Sequence, residues 1–166
     1  GQRIYYFLYC LLLFAFLHLG NGFNLAFSQP QCFIYAFGNL IKNAPEAIDA
    51  VSPDDERTGK TIIVRAERSA DGSEYIVDII DNGRGLPGEN RHRLLEPYTT
   101  MRDKGTGLGL AIVKKIIDDH GGTIQLGDAP ATVDEGRGAM ITVRLPVKAA
   151  AHTGEEDKAK EPADGV

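Results

Sequence analysis

The sequence predicts one α/β domain of the α+β kind, preceded by an apolar segment of different character. Three observations carry that expectation. Phe33–Val51 and Gly107–His120 repeat apolar residues every three or four positions, the period of a helix with one buried face. Thr61–Arg68 and Glu74–Asp81 alternate apolar and polar residues and meet across Asp71-Gly72, a hairpin signal. Two further short apolar runs, Thr123–Leu126 and Ala139–Leu145, follow the second helix and are separated by a polar loop rich in Asp, Pro and Gly. With 166 residues the chain is long enough for one well-cored domain and too short for two. The divisions read from composition are 1–30, an apolar segment; 31–148, the globular domain; and 149–166, an Ala-, Glu- and Lys-rich tail expected to be disordered.

The first segment stands apart by charge. Arg3 is the only charged residue among the first 37, and every other charged side chain follows Phe37. Ile4–Leu19 has none, and as a helix it would span roughly 24 Å, short of the ~30 Å hydrocarbon core of a bilayer. Extended through Gly20-Asn21-Gly22 to Phe27 it is long enough, with a break expected at the glycines. Three readings fit: a membrane-associated or spanning helix within 4–27, a signal peptide cut near Ala26-Phe27-Ser28, or sequence not native to the domain that follows.

Pro30 is expected to stop whatever precedes it, with a helix starting at Cys32 or Phe33. Phe33, Phe37, Leu40, Ile41, Ala44, Ala47, Ile48 and Val51 form its apolar stripe. Asn39 and Asn43, four apart, share a face beside that stripe, with Glu46 one turn on. Pro45 lacks an amide donor and crowds the carbonyl of Ile41, so a kink is expected at the Asn43 turn. Ser52–Gly59 is a polar loop. In the first strand Ile62, Val64 and Ala66 share a face. In the second, Tyr75, Val77 and Ile79 oppose Ile76 and Ile80, the two-sided pattern of a central strand.

Asp81 to Val113 organises the chain. Asp81-Asn82-Gly83-Arg84-Gly85 ends the second strand, and Gly105-Thr106-Gly107-Leu108-Gly109 opens the second helix. Between them, residues 86–104 form a polar cover holding one apolar plug, Leu94-Leu95 with Pro97-Tyr98, and the basic residues Arg91, Arg93, Arg102 and Lys104. These are the parts of a nucleotide site. Glycines admit close backbone approach, a helix start offers unpaired N–H groups to an anion, and a cover can exclude water. A carboxylate at the strand end, Asp81, can accept a hydrogen bond from an exocyclic amine. At the far end of the second helix, His120-Gly121-Gly122 supplies a left-handed cap.

Other classes are excluded. The net charge of −5 is wrong for a nucleic-acid surface. The two cysteines, Cys10 and Cys32, have no partner cluster for zinc. The spacing Gly-x-Gly-x-Gly is not the dinucleotide fingerprint, and no Gly-Lys-Ser/Thr ending makes it a P-loop.

The order N-L-I-K-N-A on a helix, D-N-G-R-G after a strand, E-P-Y, then G-T-G-L-G-L-A-I-V resembles the catalytic ATP-binding domain of sensor histidine kinases over residues 33–146. Asn39–Glu46 looks like that family's N box, Asp81–Gly85 its first glycine box, Pro97-Tyr98 its F box and Gly105–Gly109 its second glycine box. The run LLEPYTTMRDKGTGLGLAIVKKIIDDHGG, with the later GRGAMITVRLP, is most like NtrY-type nitrogen-regulation kinases. The resemblance implies a two-layer sandwich of the Bergerat ATP-binding type, with helices on one face of a mixed sheet. It implies ATP and Mg2+ as cofactors. Asn43 would be the metal ligand, with Asn39 close to metal and phosphates, so these two are the catalytic candidates. Lys42 would approach the phosphates. Asp81 would read adenine in a pocket shaped by Gly83 and Gly85. Tyr98, Lys104, Gly105, Thr106, Gly107, Leu108 and Gly109 complete the binding set. The implied partners are ATP, a His-bearing dimerisation domain and a cognate response regulator, with the ATP site on the cytoplasmic face of the bacterial inner membrane.

The chain also departs from that family. Its histidines are His18, His92, His120 and His152, and none stands in the His-Glu motif of a phosphoacceptor. The family's first strand and helical hairpin should precede the N box, whereas residues 1–37 have the wrong composition for either. The expectation is therefore a catalytic fragment whose acceptor lies elsewhere and whose residues 1–32 are not native kinase sequence. Two other functions compete. A related ATPase module would need a water-activating Glu where this chain has Asn39. A non-catalytic membrane-associated remnant would be disabled by Pro45 and the lack of a first strand.

Overall fold

The computed structural model describes residues 30–52, 54–55, 59–100 and 105–147. The apolar segment of residues 1–29 and the tail of residues 148–166 lie outside the described residues, as do Arg102 and Lys104 of the cover. Helix α1 runs Pro30–Asp49. Strands β1 (Ile62–Arg68) and β2 (Glu74–Asp81) follow, then helix α2 (Gly109–Asp119) and strands β3 (Thr123–Asp128) and β4 (Ala139–Pro146). The strands form one sheet in the order β1-β2-β4-β3.

Both helices lie on one face of that sheet, giving the two layers expected. Phe33, Ala36, Phe37, Leu40 and Ile41 of α1 and Val113 and Ile117 of α2 meet Tyr75, Val77 and Ile79 of β2 and Ile141, Val143 and Leu145 of β4 in one core. The sheet differs from expectation. Every pairing among the described residues is antiparallel, not mixed, because β1–β2 and β3–β4 are each connected back on themselves and β4 enters beside β2 in the opposite sense. β2 is central, as its two-sided apolar pattern implied.

Residue-level differences have local causes. The helix opens on Pro30 itself, since proline suits a first turn, where its missing N–H would have no partner anyway. It also continues four residues past Pro45. An interior proline costs roughly 3 kcal/mol. Here Ala44 and Ile48 are buried on either side of it, and the Arg84 amide donates to the Ala47 carbonyl at 3.1 Å, so tertiary contacts hold the last turn. The second helix begins at Gly109, two residues later than its pattern suggested, with Leu108 as N-cap. Its end is the left-handed cap expected. Gly121 has φ 72°, the Gly122 amide donates to Ile117 and the Gly121 amide to Asp118, the Schellman pair of bonds. No helix among the described residues is long and apolar enough to cross a membrane.

The sheet's other face is polar at its centre. Asp78 is buried there, accepting from Arg65 Nη2 at 2.6 Å and from Thr142 Oγ1 at 2.7 Å. That hydrogen bond and charge raise the Arg65 guanidinium above its ordinary pKa. Beside it Ile80 packs with Ala129 and Val133 of the β3–β4 loop.

Candidate functional site

The site lies where the C-terminal half of α1 faces the end of β2. Asn39, Lys42, Asn43 and Glu46 line the same cavity, as their spacing of three and four along a helix requires. Asn39 Nδ2 donates to the Tyr35 carbonyl at 3.0 Å. That turns its Oδ1 toward the start of α2, where a Cβ added at Gly109 would stand 3.4 Å from it. Glycine at 109 therefore lets the helix N-terminus come up to the Asn39 amide.

At the β2 end the geometry is fixed from several sides. Asp81 is 5% exposed, and its Oδ1 accepts the Gly83 amide at 2.8 Å. Asn82 is buried and spans to the preceding loop, accepting from the Thr61 amide at 2.8 Å and donating to the Gly59 carbonyl. A Cβ at Gly83 would lie 2.6 Å from the Ala47 backbone carbon, so this glycine sets how closely α1 packs on the strand end. Gly138 does the same from the other side. It has φ 121°, and a Cβ there would fall inside contact with the Asp81 carbonyl oxygen.

The cover is built differently. Arg91–Leu95 forms a 3-10 turn whose buried residue is Leu94, and Leu94 reaches the cavity with Thr99 and Thr100. Gly107, at φ 66°, lies under the cover backbone, where a Cβ would meet the Tyr98 carbonyl carbon at 2.5 Å. Thr106 Oγ1 accepts the Leu108 amide at 3.4 Å. Two expectations fail here. Tyr98 is not part of an inward plug; it is 80% exposed with φ 64°, because its backbone sits against Gly107 and its ring turns outward. Arg91 and Arg93, the basic cover residues among those described, do not line the cavity either. Arg91 is held by the Asp128 carboxylate at 2.7 Å and the Pro87 carbonyl at 2.7 Å, and Arg93 lies 3.9 Å from Glu96.

Together these elements enclose a cavity of about 530 Å3, within the range that small-molecule sites occupy. Of the residues expected from sequence, it gathers Asn39, Lys42, Asn43, Asp81, Gly85, Gly105, Thr106, Gly107 and Gly109. Gly83 is not in its wall but packs against Ala47 behind it, Leu108 is the N-cap of α2 and not in the wall, Tyr98 is exposed, and Lys104 lies outside the described residues. Glu46, which the sequence places on the Asn43 face without a role, also lines the cavity, as do Arg84, Leu86, Leu110 and Ile141. Glu46 was findable as the next position on the Asn43 face. Ile141 was findable from strand alternation only once the pairing of β4 with β2 was known.

The residues fit a magnesium ion brought in with a phosphate ligand. Asn39 and Asn43 supply hard amide oxygens, and Mg2+ is satisfied by one or two protein oxygens with waters and phosphate oxygens completing the shell. No group of three or more His, Cys, Asp or Glu able to cage a metal occurs among the described residues.

Comparisons with known proteins converge on one kind of domain. The family described as "Histidine kinase-, DNA gyrase B-, and HSP90-like ATPase" matches residues 30–149. The nitrogen regulation protein NtrY of Azorhizobium caulinodans is 56% identical over 110 residues, covering 66% of this chain and 13% of that protein. The sensory histidine kinase/phosphatase NtrB of Rhodobacter capsulatus is 38% identical over 114 residues, 67% of this chain and 30% of that one. The chain thus spans less than a third of the length of either relative. Among solved structures, a mycobacterial sensor histidine kinase, MprB, superposes with a TM-score of 0.58 at 28% identity, covering 70% of this chain and 72% of that one. The catalytic domain of histidine kinase ThkA does so with a TM-score of 0.56 at 27% identity, over 70% and 68% of the two chains.

Proposed function

The chain belongs to the family of histidine kinase-, DNA gyrase B- and HSP90-like ATPases, and from that premise we propose that its cavity binds Mg-ATP and delivers the γ-phosphoryl group to a histidine on a partner domain. It is an ATP-binding catalytic domain of the sensor histidine kinase type. The observation that carries the rest is the polarity of the cavity. Asn39 stands against the start of α2 at Gly109, whereas the strand end that carries Asp81 packs through Gly83 against Ala47, about two turns further along α1.

The chemistry follows from that layout. The loop amides at the start of α2 receive phosphate oxygens, helped by the helix dipole. Asp81, held by the Gly83 amide, accepts from the exocyclic amine of adenine and repels the carbonyl that guanine would put in its place. A bound Mg2+ would neutralise phosphate charge as the transferred group moves, with Asn43 as its protein ligand and Asn39 beside it. Lys42 adds positive charge near the phosphates. The bond from the γ-phosphorus to the bridging oxygen breaks and its electrons leave with ADP, while a lone pair on an imidazole nitrogen forms the new bond. That nitrogen already carries a free lone pair, and the proton on the other ring nitrogen is lost on the acceptor's side to solvent or a base there, so this cavity needs no general base and an amide at Asn39 is sufficient. Hydrolysis would require a base in reach of water, which Asn39 cannot be.

The acceptor is a His-bearing dimerisation domain, and the phosphoryl group passes onward to a cognate response regulator. The ATP site faces the bacterial cytoplasm, where ATP is found. A non-catalytic remnant is disfavoured because α1 carries Asn39 and Asn43 into the cavity despite Pro45. The test is Mg2+-dependent binding of a fluorescent ATP analogue to the full chain, beside Asn43→Ala and Asp81→Ala. The expected result is saturable binding, weakened about tenfold or more in each variant, since each loses charge-assisted bonds to the ligand. A folded chain that does not bind ATP would overturn the proposal.

A further inference from the structure

The turn that leads into β4 is strained and closed on itself. Asp134 and Glu135 hold φ of 46° and 59°, and Gly136 follows at 83°. Two consecutive non-glycine residues in the left-handed region cost free energy and persist only where their surroundings fix them. Arg137 supplies that fixing. Its amide and its Nε both donate to the Asp134 carbonyl at 3.1 Å, and its Nη2 donates to Asp134 Oδ1 at 3.0 Å. Its Nη1 reaches Asp55 Oδ1, in the loop after α1, at 3.4 Å. The Asp134 side chain is only 2% exposed, so this pair is screened by water and salt far less than a surface pair.

The next residue is Gly138, and it touches the site. It sits against the Asp81 carbonyl and the Asn82 Cα with no room for a Cβ, and its own carbonyl oxygen lies 3.2 Å from where a Cβ on Gly85 would stand. Ala139, one further on, lines the cavity as the cross-strand partner of Asp81. Gly138 is thus wedged between both flanks of the segment that carries Asp81 and Gly85, two residues of the cavity wall. Arg137, Asp134 and Asp55 are not in that wall. We infer that Arg137 is a positioning residue: by clasping Asp134 and Asp55 it seats Gly138 against Asp81 and so sets the base selectivity of the site. The inference rests on the ATP-binding reading above and adds to it what holds the base-reading carboxylate in place. A clasp that served stability alone would lower the affinity for every nucleotide by one factor, through the folded fraction. A clasp that places Asp81 changes the ratio between bases.

The experiment measures the affinities of the full chain for ATP and for inosine triphosphate, in which a carbonyl replaces the exocyclic amine, at saturating Mg2+. Both are repeated for Arg137→Ala and Arg137→Lys, with circular dichroism to establish folding. The wild type is expected to prefer ATP by about tenfold or more, the discrimination of one charge-assisted hydrogen bond. Arg137→Ala should bind ATP more weakly while its affinity for inosine triphosphate holds, so that the preference shrinks by about threefold or more. Arg137→Lys keeps the charge beside Asp134 but loses the fork of donors, so it should recover part of the preference, and it decides the question should alanine not fold. A wild-type ratio in folded Arg137→Ala, or in Arg137→Lys where alanine does not fold, would overturn the assignment while leaving ATP binding intact. Equal losses of both affinities would do the same. A wild type that binds the two nucleotides alike would overturn base reading by Asp81 and this inference with it, and absence of ATP binding by a folded wild type would overturn the functional reading as a whole.

Discussion

The two walls of the cavity are held by different physics. The wall made by α1 and the end of β2 is fixed by buried contacts that leave no slack. Asn82 is tied to two points of the preceding loop, Asp81 is closed on the Gly83 amide, and Gly83 and Gly138 stand where no side-chain carbon fits. The described part of the cover, residues 86–100, has one buried apolar anchor, Leu94, and its ion pairs are partly exposed. Exposed pairs of that kind contribute only about 0–1 kcal/mol. The two walls therefore divide the labour. The Asp81 end is held in one geometry by these contacts, whereas the described part of the cover is tied to the core chiefly through Leu94.

Glycine substitutions give the sharpest contrast between the walls. Gly138→Ala forces a side chain into the Asp81 backbone at φ 121°, combining overpacking with backbone strain. The expected cost is roughly 3 kcal/mol or more, with loss of ATP binding because Asp81 must shift. Gly88→Ala, in the cover, has nothing within 4 Å of the added carbon and should leave stability within about 0.5 kcal/mol. Chemical denaturation of both variants measures this, and equal losses would erase the distinction between the walls.

Leu94→Ala probes the cover alone. Removing a buried leucine side chain typically costs about 2–5 kcal/mol, but Leu94 anchors a short 3-10 turn at the edge of the cavity, so the loss is expected near the lower end. Hydrogen exchange should accelerate at residues 91–100 while β2 and β4 stay protected, and ATP affinity should fall. Acceleration spread evenly over the sheet would mean that cover and core unfold as one unit.

The contrast also explains what the sequence disclosed. The rigid wall was legible because its residues obey local rules. Asn39 and Asn43 follow helix spacing, and Asp81 ends an alternating strand. The cover was misread in detail. Tyr98 faces solvent because Gly107, nine residues away, takes the space beneath its backbone, and Arg91 is claimed by Asp128, thirty-seven residues on. Such long-range competition has no periodic signature. The sheet's antiparallel order was hidden for the same reason, since it depends on where β4 enters. Gly138, which fixes Asp81 from behind, sits in a Gly-Arg-Gly run that reads only as a turn until β4 is placed beside β2.

A third region supplies a control that touches neither wall. Asp71 closes the β1–β2 hairpin by accepting from Ser69 Oγ at 2.6 Å and from the Ser73 amide and hydroxyl at 3.0 and 2.8 Å. The Ser69 bond first, then those from Ser73, lower its pKa from 3.8 to about 2. A carboxyl whose pKa is depressed on folding contributes stability that is fully present above its unfolded value and lost as pH falls through its folded value. The stability difference between the wild type and Asp71→Asn should therefore be constant at neutral pH, shrink as pH drops below about 4, and vanish near pH 2. Other carboxylates titrate alike in both proteins and cancel in the comparison. Because the turn is exposed the effect is small, and ATP affinity at neutral pH should be unchanged. A change in affinity would mean that strain in the hairpin reaches Asp81 along β2, and that the rigid wall extends the full length of that strand.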